Sequence, residues 1–254
     1  MYRPRRTELA AHIAGAWSCL AAPAFAQSQE SPGTTELQSV TVTAQKRVQP
    51  LQQVPVAVTV VGAQEMENRG IAGFSELLSL IPNVAMDQSS SAQPNISIRG
   101  ISSSTNNIGI ESGVGVVVDD VFLGRPSAFS TQLIDVERVE VLRGSQGTLF
   151  GKNTIGGLIN IVTTLPSRKF GGAADFTAGN FGLKQARGFV TGALGDSMAG
   201  KLSFTAKQRD GWVKNRTPGA EDMMSEDFQG LRAQLRGTPA PGFSWLLSAE
   251  YSKD

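Results

Sequence analysis

Lys201-Leu202-Ser203-Phe204-Thr205-Ala206-Lys207 decides the fold: every second residue is apolar, and those between carry a hydroxyl or a cation. A period of two is that of an extended strand with one apolar and one polar face. The pattern recurs on both sides. Leu231, Ala233 and Leu235 alternate with Arg232, Gln234 and Arg236, and Phe243, Trp245, Leu247, Ala249 and Tyr251 alternate with Ser244, Ser248, Glu250 and Ser252. Ala174, Phe176 and Ala178 repeat it more weakly, and residues 186–194 most weakly. Segments of about ten residues, separated by Gly, Asp, Pro and Asn turns, fit transmembrane β-strands with lipid on one face and a wet lumen on the other. A soluble half-buried sheet would look the same strand by strand. The membrane reading rests on five such segments in succession behind an export signal, with Phe243, Trp245 and Tyr251 near strand ends.

That signal occupies residues 1–26. Arg3, Arg5 and Arg6 precede an apolar stretch over residues 9–22, and Ala24-Phe25-Ala26 forms a small-x-small cleavage site before Gln27. Trp17, Ser18 and Gly15 interrupt a run already too short to span a bilayer, and Ala16-Trp17-Ser18 before Cys19 is a poor lipobox. Cleavage would remove His12 and Cys19, the chain's one histidine and one cysteine. A mature chain without imidazole or thiol excludes Ser-His-Asp and Cys-His catalysis, histidine or thiolate zinc sites, and disulfides. Cleavage also takes the charge from 23 Lys+Arg against 22 Asp+Glu to 20 against 21, which gives no basic surplus for nucleic acid.

Between signal and alternating strands lies a different pattern. Residues 27–36 are a polar tether without periodicity. Residues 37–44 alternate β-branched residues, and residues 54–61 read as a buried strand with Pro55 near its start. Short helices are expected over residues 63–68, ended by Gly70, and over residues 75–81, stopped by Pro82. Strands follow over residues 95–101, 114–118, 121–123, 134–142 and 158–163, with Asp119-Asp120 as a two-residue hairpin turn. Strands mixed with short helices describe a compact domain of about 130 residues, large enough for its own core.

Two motifs invite chemistry and fail. In Gly144-Ser145-Gln146-Gly147-Thr148-Leu149-Phe150-Gly151-Lys152-Asn153, Gln146 stands where a P-loop needs its first Gly, and Asn153 where it needs a hydroxyl. Asp119 and Asp120 are adjacent, so along a strand their carboxylates would not converge on a metal. In the strand over residues 136–142, Glu137 shares a face with Val139 and Val141, while Arg138 and Glu140 share the other with Val136 and Leu142. Buried ion pairing and plain surface exposure both remain open there.

These residues carry a resemblance. Residues 135–144 (Asp-Val-Glu-Arg-Val-Glu-Val-Leu-Arg-Gly), 146–151 (Gln-Gly-Thr-Leu-Phe-Gly) and 156–163 (Gly-Gly-Leu-Ile-Asn-Ile-Val-Thr) are similar to the late plug of TonB-dependent outer-membrane receptors. Ile98-Arg99-Gly100 resembles that plug's middle strand, Val40-Thr41-Val42-Thr43-Ala44 the TonB box, and Arg209-Asp210-Gly211-Trp212 the early barrel. Ser145 replaces a usual Pro, Asp120 a usual turn Gly, and Lys152 a frequent Arg. Asp tolerates positive φ better than most residues, and Lys keeps the charge while losing the guanidinium fork.

The resemblance implies an α+β plug domain followed by antiparallel transmembrane β-barrel strands. Residues 1–26 are then the signal, 27–53 a periplasmic tether with the TonB box, 54–166 the plug, and 167–254 the first strands of a barrel incomplete in this chain. Such barrels have about 22 strands, and five would leave open edges. The implied function is active uptake of a scarce solute, most readily an iron–siderophore complex, with no catalysis, cofactor or metal site. The implied partners are TonB with its inner-membrane energising proteins and outer-membrane lipid, the plug facing the periplasm. Val40, Thr41, Val42, Thr43 and Ala44 would bind TonB by strand addition. They lie between polar stretches, so the segment is expected to leave the plug without unfolding any core. Arg99, Gly100, Arg143, Gly144, Gly147, Gly151, Gly156 and Gly157 would shape the plug. Gln88, Ser89, Ser90, Ser91, Ser102, Ser103, Ser104, Asn106 and Asn107 are candidates for ligand contact. The rivals are a non-transporting plug fragment that binds ligand or TonB in the periplasm or has no function, and an exported enzyme for which no residue set is present.

Overall fold

The computed structural model describes residues 41–43, 46–71, 73–87, 95–102, 112–124, 132–217, 219 and 222–253. The expected signal and most of the tether lie outside them. The elements, in chain order, are β1 (Thr41–Val42), β2 (Gln49–Pro50), β3 (Ala57–Gly62), α1 (Ala63–Asn68), α2 (Phe74–Ser79), β4 (Val84–Asp87), β5 (Asn95–Ile98), β6 (Val114–Val118), β7 (Val121–Leu123) and β8 (Val136–Arg143). A helical turn α3 (Gly147–Phe150), β9 (Gly157–Thr163), β10 (Gly171–Ala178), β11 (Lys184–Ala193), β12 (Met198–Arg209), β13 (Glu226–Ala240) and β14 (Phe243–Lys253) complete them.

The first domain is built on a five-stranded sheet of order β3-β8-β9-β6-β7, in which β6 and β9 run parallel and the other pairs antiparallel. Its two faces carry separate cores. On one, Val139, Val141, Ile159 and Ile161 meet Met66 of α1 and Phe74, Leu77 and Leu78 of α2. The spacing of Phe74, Leu77 and Leu78 puts all three on one stripe of the helix, and each such side chain taken from water is worth about 1.5–3 kcal/mol. Glu76 accepts the Gly73 N–H at 3.2 Å and so satisfies one of the orphan donors at the helix start. On the opposite face, Leu142, Leu158 and Val117 pack with Val42 of β1.

Several boundaries differ from the sequence reading, each for a backbone reason. β3 starts at Ala57 because Pro55 sits in a bend after a 3₁₀ turn over Leu51–Gln53. β5 stops at Ile98, since Arg99 (φ 53°) and Gly100 (φ 78°) turn the chain. β8 starts at Val136, since Asp135 (φ 53°) is left-handed. The β4 strand paired antiparallel with β5 was not expected. The hairpin turn holds: Asp119 (φ 46°) and Asp120 (φ 68°) both have positive φ, as a type I′ turn needs.

The second sheet is antiparallel in the order β10-β11-β12-β13-β14. One set of cross-strand rows reads Gly172-Val190-Leu202-Ala233-Ala249 and Ala174-Gly188-Phe204-Leu231-Tyr251. These rows are exposed, Leu202 by 45% and Tyr251 by 68%. The alternate rows contain Lys201, Ser203, Thr205, Lys207, Arg232 and Gln234, all buried. This is the reverse of a water-soluble sheet, which hides its apolar face. Here the polar face covers the first domain and the apolar face is left outside. Among the described residues neither β10 nor β14 has a second strand partner, so the sheet is an open wall, and no helix is long and apolar enough to cross a membrane.

Candidate functional site

Two features bear on function: how the segment around Val42 sits on the plug, and how the plug meets the wall. Val40 and Ala44 lie outside the described residues. Thr41 is exposed, Val42 is 0% exposed within the second core, and Thr43 is half-buried. The segment was expected to leave the plug without unfolding any core; leaving must at least draw Val42 out of one. Val42 fills a space against Leu142 and Leu158, and the alternation of β-branched residues could not tell which face would be covered.

Thr43 enters a polar cluster on the same sheet face. Its N–H donates to Glu140 Oε1 at 2.9 Å and its hydroxyl to the same oxygen at 3.2 Å. The hydroxyl in turn accepts from an Arg138 terminal guanidinium nitrogen at 3.3 Å and from Asn160 Nδ2 at 3.2 Å. Glu140 has no exposed side-chain surface, and it also accepts from Arg138 Nε at 2.8 Å and from Asn160 Nδ2 at 3.1 Å. Both readings of the β8 charges are thus realised at once: Arg138 and Glu140 form the interior pair, while Glu137 stays exposed beside Arg138. Undocking the segment gives up one buried valine, about 1.5–3 kcal/mol, and hydrogen bonds to a charged group at about 1.5–3 kcal/mol each.

The wall is fastened where the plug strands end. Asp135 accepts Lys201 Nζ at 2.8 Å and Ser203 Oγ at 2.6 Å, and that ammonium lies 4.3 Å from the Phe189 ring centroid. Asp119 accepts the Thr163 N–H at 2.8 Å and the Thr163 hydroxyl at 2.7 Å, and Arg232 reaches it at 3.3 Å while pairing with Glu250. Gln234 Nε2 donates to Thr163 Oγ1 at 3.0 Å. Lys207 Nζ lies 2.6 Å from Glu226 and 3.7 Å from Glu76 of α2. Gly230 sits where Ile134 presses on the wall, because a Cβ there would stand 2.5 Å from Ile134 Cδ1. The ties among Asp119, Asp135, Thr163, Lys201, Arg232 and Gln234 were not foreseen: Asp119 reads as a turn residue, and Lys201, Arg232 and Gln234 as the polar half of alternating strands. The polar half of each alternating strand was the available signal for the wall residues, but it does not name their partners.

Of the expected plug-shaping residues, Arg143 donates to Thr59 Oγ1 at 2.8 Å, and the Arg99 N–H donates to the Asn83 carbonyl at 2.8 Å. Gly157 is the most constrained, since at φ 154° its Cβ would lie 2.4 Å from the Leu142 carbonyl oxygen. Gly100, Gly144 and Gly151 have positive φ, and Gly156 packs on Ile101. A Cβ at Gly147 would make only an ordinary contact with Ser145 Oγ at 3.9 Å, and nothing in the structure explains the glycine. Of the ligand-contact candidates, Ser102 is exposed, while Gln88, Ser89, Ser90, Ser91, Ser103, Ser104, Asn106 and Asn107 lie outside the described residues.

The β12–β13 connection holds one further clasp. Lys214 Nζ meets Asp222 Oδ2 at 2.6 Å, and the Asn215 N–H donates to Asp222 Oδ1 at 3.1 Å. The hydrogen bond from Lys214, then that from Asn215, holds the Asp222 carboxyl below its ordinary value, and the Asp222 hydrogen bond raises the Lys214 ammonium above its own.

Residues 50–158 match the TonB-dependent receptor plug domain family. The chain is 28% identical over 235 residues to the vitamin B12 transporter BtuB of Photobacterium profundum, covering 91% of this chain and 37% of that protein. It is 30% identical over 182 residues to the pesticin receptor of Yersinia pestis, covering 71% of this chain and 26% of the relative. The crystal structure of the ferric yersiniabactin uptake receptor FyuA from Yersinia pestis matches with a TM-score of 0.65 at 28% identity, over 78% of this chain and 32% of that one. The chain thus spans about a quarter to somewhat over a third of the length of these relatives. A plug-domain match, a polar sheet face fastened to that plug and an apolar face turned outward converge on one family: the chain belongs to the TonB-dependent outer-membrane receptors, as a plug and an open wall of antiparallel barrel strands.

Proposed function

We propose that this chain forms the plug and leading wall of an outer-membrane receptor that takes up a scarce, large solute using energy delivered by TonB. The observation that carries it is the polarity of β10–β14: Leu202, Phe204, Leu231 and Tyr251 face out, while Lys201, Ser203, Arg232 and Gln234 face a docked plug. Such a wall is stable where its outer face meets hydrocarbon, and its ion pairs hold the plug in place rather than serving catalysis. In outer-membrane barrels the long connections lie outside and the short turns face the periplasm. The connection between Arg209 and Glu226 is the long one, so we orient it outward and the turn between Ala240 and Phe243 inward.

An iron–siderophore complex is the solute we favour, in line with relatives such as the ferric-pyoverdine 358 receptor of Pseudomonas putida and the ferric yersiniabactin uptake receptor of Yersinia pestis. Vitamin B12 is the competing solute on the same basis. Residues 88–91, 102–104, 106 and 107 remain our candidates for contact with it, residues 40–44 the segment that TonB engages, and residues 1–26 the export signal. The test is uptake of radiolabelled ferric siderophores and cobalamin by receptor-deficient cells producing this protein, with and without TonB. Uptake of one solute that vanishes without TonB supports the reading, and uptake that ignores TonB, or surface binding with none, contradicts it.

A further inference from the structure

We propose that Glu140 is a latch: its buried carboxylate holds Thr43, and with it the segment around Val42, on the plug, and sets how often that segment is free to be engaged. The inference rests on the reading of residues 40–44 as the TonB-engaged segment for its consequence, but not for its geometry. Among the described residues the segment has few other ties. Its ladder with β2 is two residues long, Thr41 opposite Pro50 and Val42 opposite Gln49, and Pro50 has no N–H to give. Beyond a local turn bond from the Lys46 N–H to the Thr43 carbonyl at 2.9 Å, which can travel with the segment, what remains is Val42 in its apolar site and Thr43 in the Glu140 cluster.

Three features make Glu140 a hold that can open rather than a permanent brace. One oxygen, Oε1, takes both donors of Thr43, so a single outward step of Thr43 frees backbone and side chain together. The carboxylate keeps Arg138 Nε and Asn160 Nδ2 when Thr43 leaves, so its charge is not stranded. Finally, Thr43 and Asn160 line a cavity of about 630 Å³ that extends past Asp119 to Arg232 and Glu250 of the wall. Water in that space can replace the two lost donors, so release needs no unfolding of β8 or β9. Glu140 is therefore a positioning residue for the segment and touches neither solute nor TonB.

The test uses the 254-residue chain in detergent with Glu140→Gln, which keeps shape but presents an amide to the donors of Thr43, and Thr43→Val, which removes only the hydroxyl contacts. Amide hydrogen exchange at Thr43 is expected to speed about tenfold in Glu140→Gln and severalfold in Thr43→Val, while Val141 and Ile159 keep their protection. Binding of the purified periplasmic domain of TonB should tighten by a similar factor in Glu140→Gln, toward the affinity of a free peptide spanning residues 38–46. Unchanged exchange at Thr43 with β8 and β9 intact would overturn the latch. Faster exchange with no TonB binding by the peptide leaves the latch standing and instead removes the TonB reading of the segment. Should Glu140→Gln lose protection throughout β8, Thr43→Val decides: unchanged exchange at residues 41–43 there would also overturn the latch.

Discussion

Asp135 and Lys201, sixty-six residues apart in sequence, form a buried ion pair that fastens the plug to the wall, with the Lys201 side chain only 1% exposed. Asp135 adopts a left-handed backbone just before β8, which aims its carboxylate at β12, and Ser203 donates to its second oxygen. Removing one partner of such a pair strands the other. Lys201→Met should cost about 3–5 kcal/mol in thermal unfolding of the detergent-solubilised protein, while Lys201→Met with Asp135→Leu should recover much of it. A single variant as stable as the parent would mean that the plug is not held there.

Gly157→Ala should be among the most damaging small substitutions in the plug. Its Cβ would meet the Leu142 carbonyl oxygen in the β8–β9 ladder, at a φ that alanine rarely adopts. A loss above about 3 kcal/mol is expected, since clash and backbone strain add. Gly147→Ala is the control, since its Cβ would meet only Ser145 Oγ at an ordinary 3.9 Å, and should fall within about 0.5 kcal/mol in chemical denaturation.

Val42 separates the docked from the free segment. It is fully buried against Leu142, so Val42→Ile should overpack the docked state by about 1–3 kcal/mol and favour release. Val42→Pro removes an N–H from the segment and should abolish energised uptake while surface binding of solute persists. Measured side by side, uptake by Val42→Pro equal to the parent would remove the TonB-engaging role of this segment.

The Lys214–Asp222 clasp predicts its own pH window. A lowered Asp222 contributes stability above its ordinary value, lost only as pH falls through the lowered one; a raised Lys214 contributes below its ordinary value, lost only as pH rises through the raised one. Fluorescence of Trp212, which flanks the Val213–Met223 bridge, should therefore stay flat between about pH 5 and 9 and change only outside that range. A midpoint near neutrality, or an acid transition that survives Asp222→Asn, would contradict the clasp.

How far the sequence disclosed this arrangement depends on the range of the interactions involved. Period-two alternation located β12, β13 and β14, and the helix α1 and the Asp119-Asp120 turn followed from local signals. β4 escaped because Val84–Asp87 is only four residues long and its Val84, Ala85 and Met86 are apolar in succession, which shows no alternation. The buried position of Val42 and the Glu140–Thr43 contact, ninety-seven residues apart, depend on which sheet face the N-terminal segment covers. Nothing local to either residue encodes that choice. Likewise, Lys201 and Arg232 were legible as inward-facing, while their partners Asp135 and Asp119 depended on where β8 begins and where β6 turns.

The account's central claim is that the apolar face of β10–β14 meets lipid and the polar face meets the plug. Nitroxide labels placed singly along β12, at residues 202–206, in the protein reconstituted in bilayers, test it most directly. Collision with lipid-dissolved oxygen should be high at 202, 204 and 206 and low at 203 and 205, with a polar nickel chelate excluded from the first set. Alternation of the opposite phase, or nickel access at 202 and 204, would show that this face meets water and would contradict the claim.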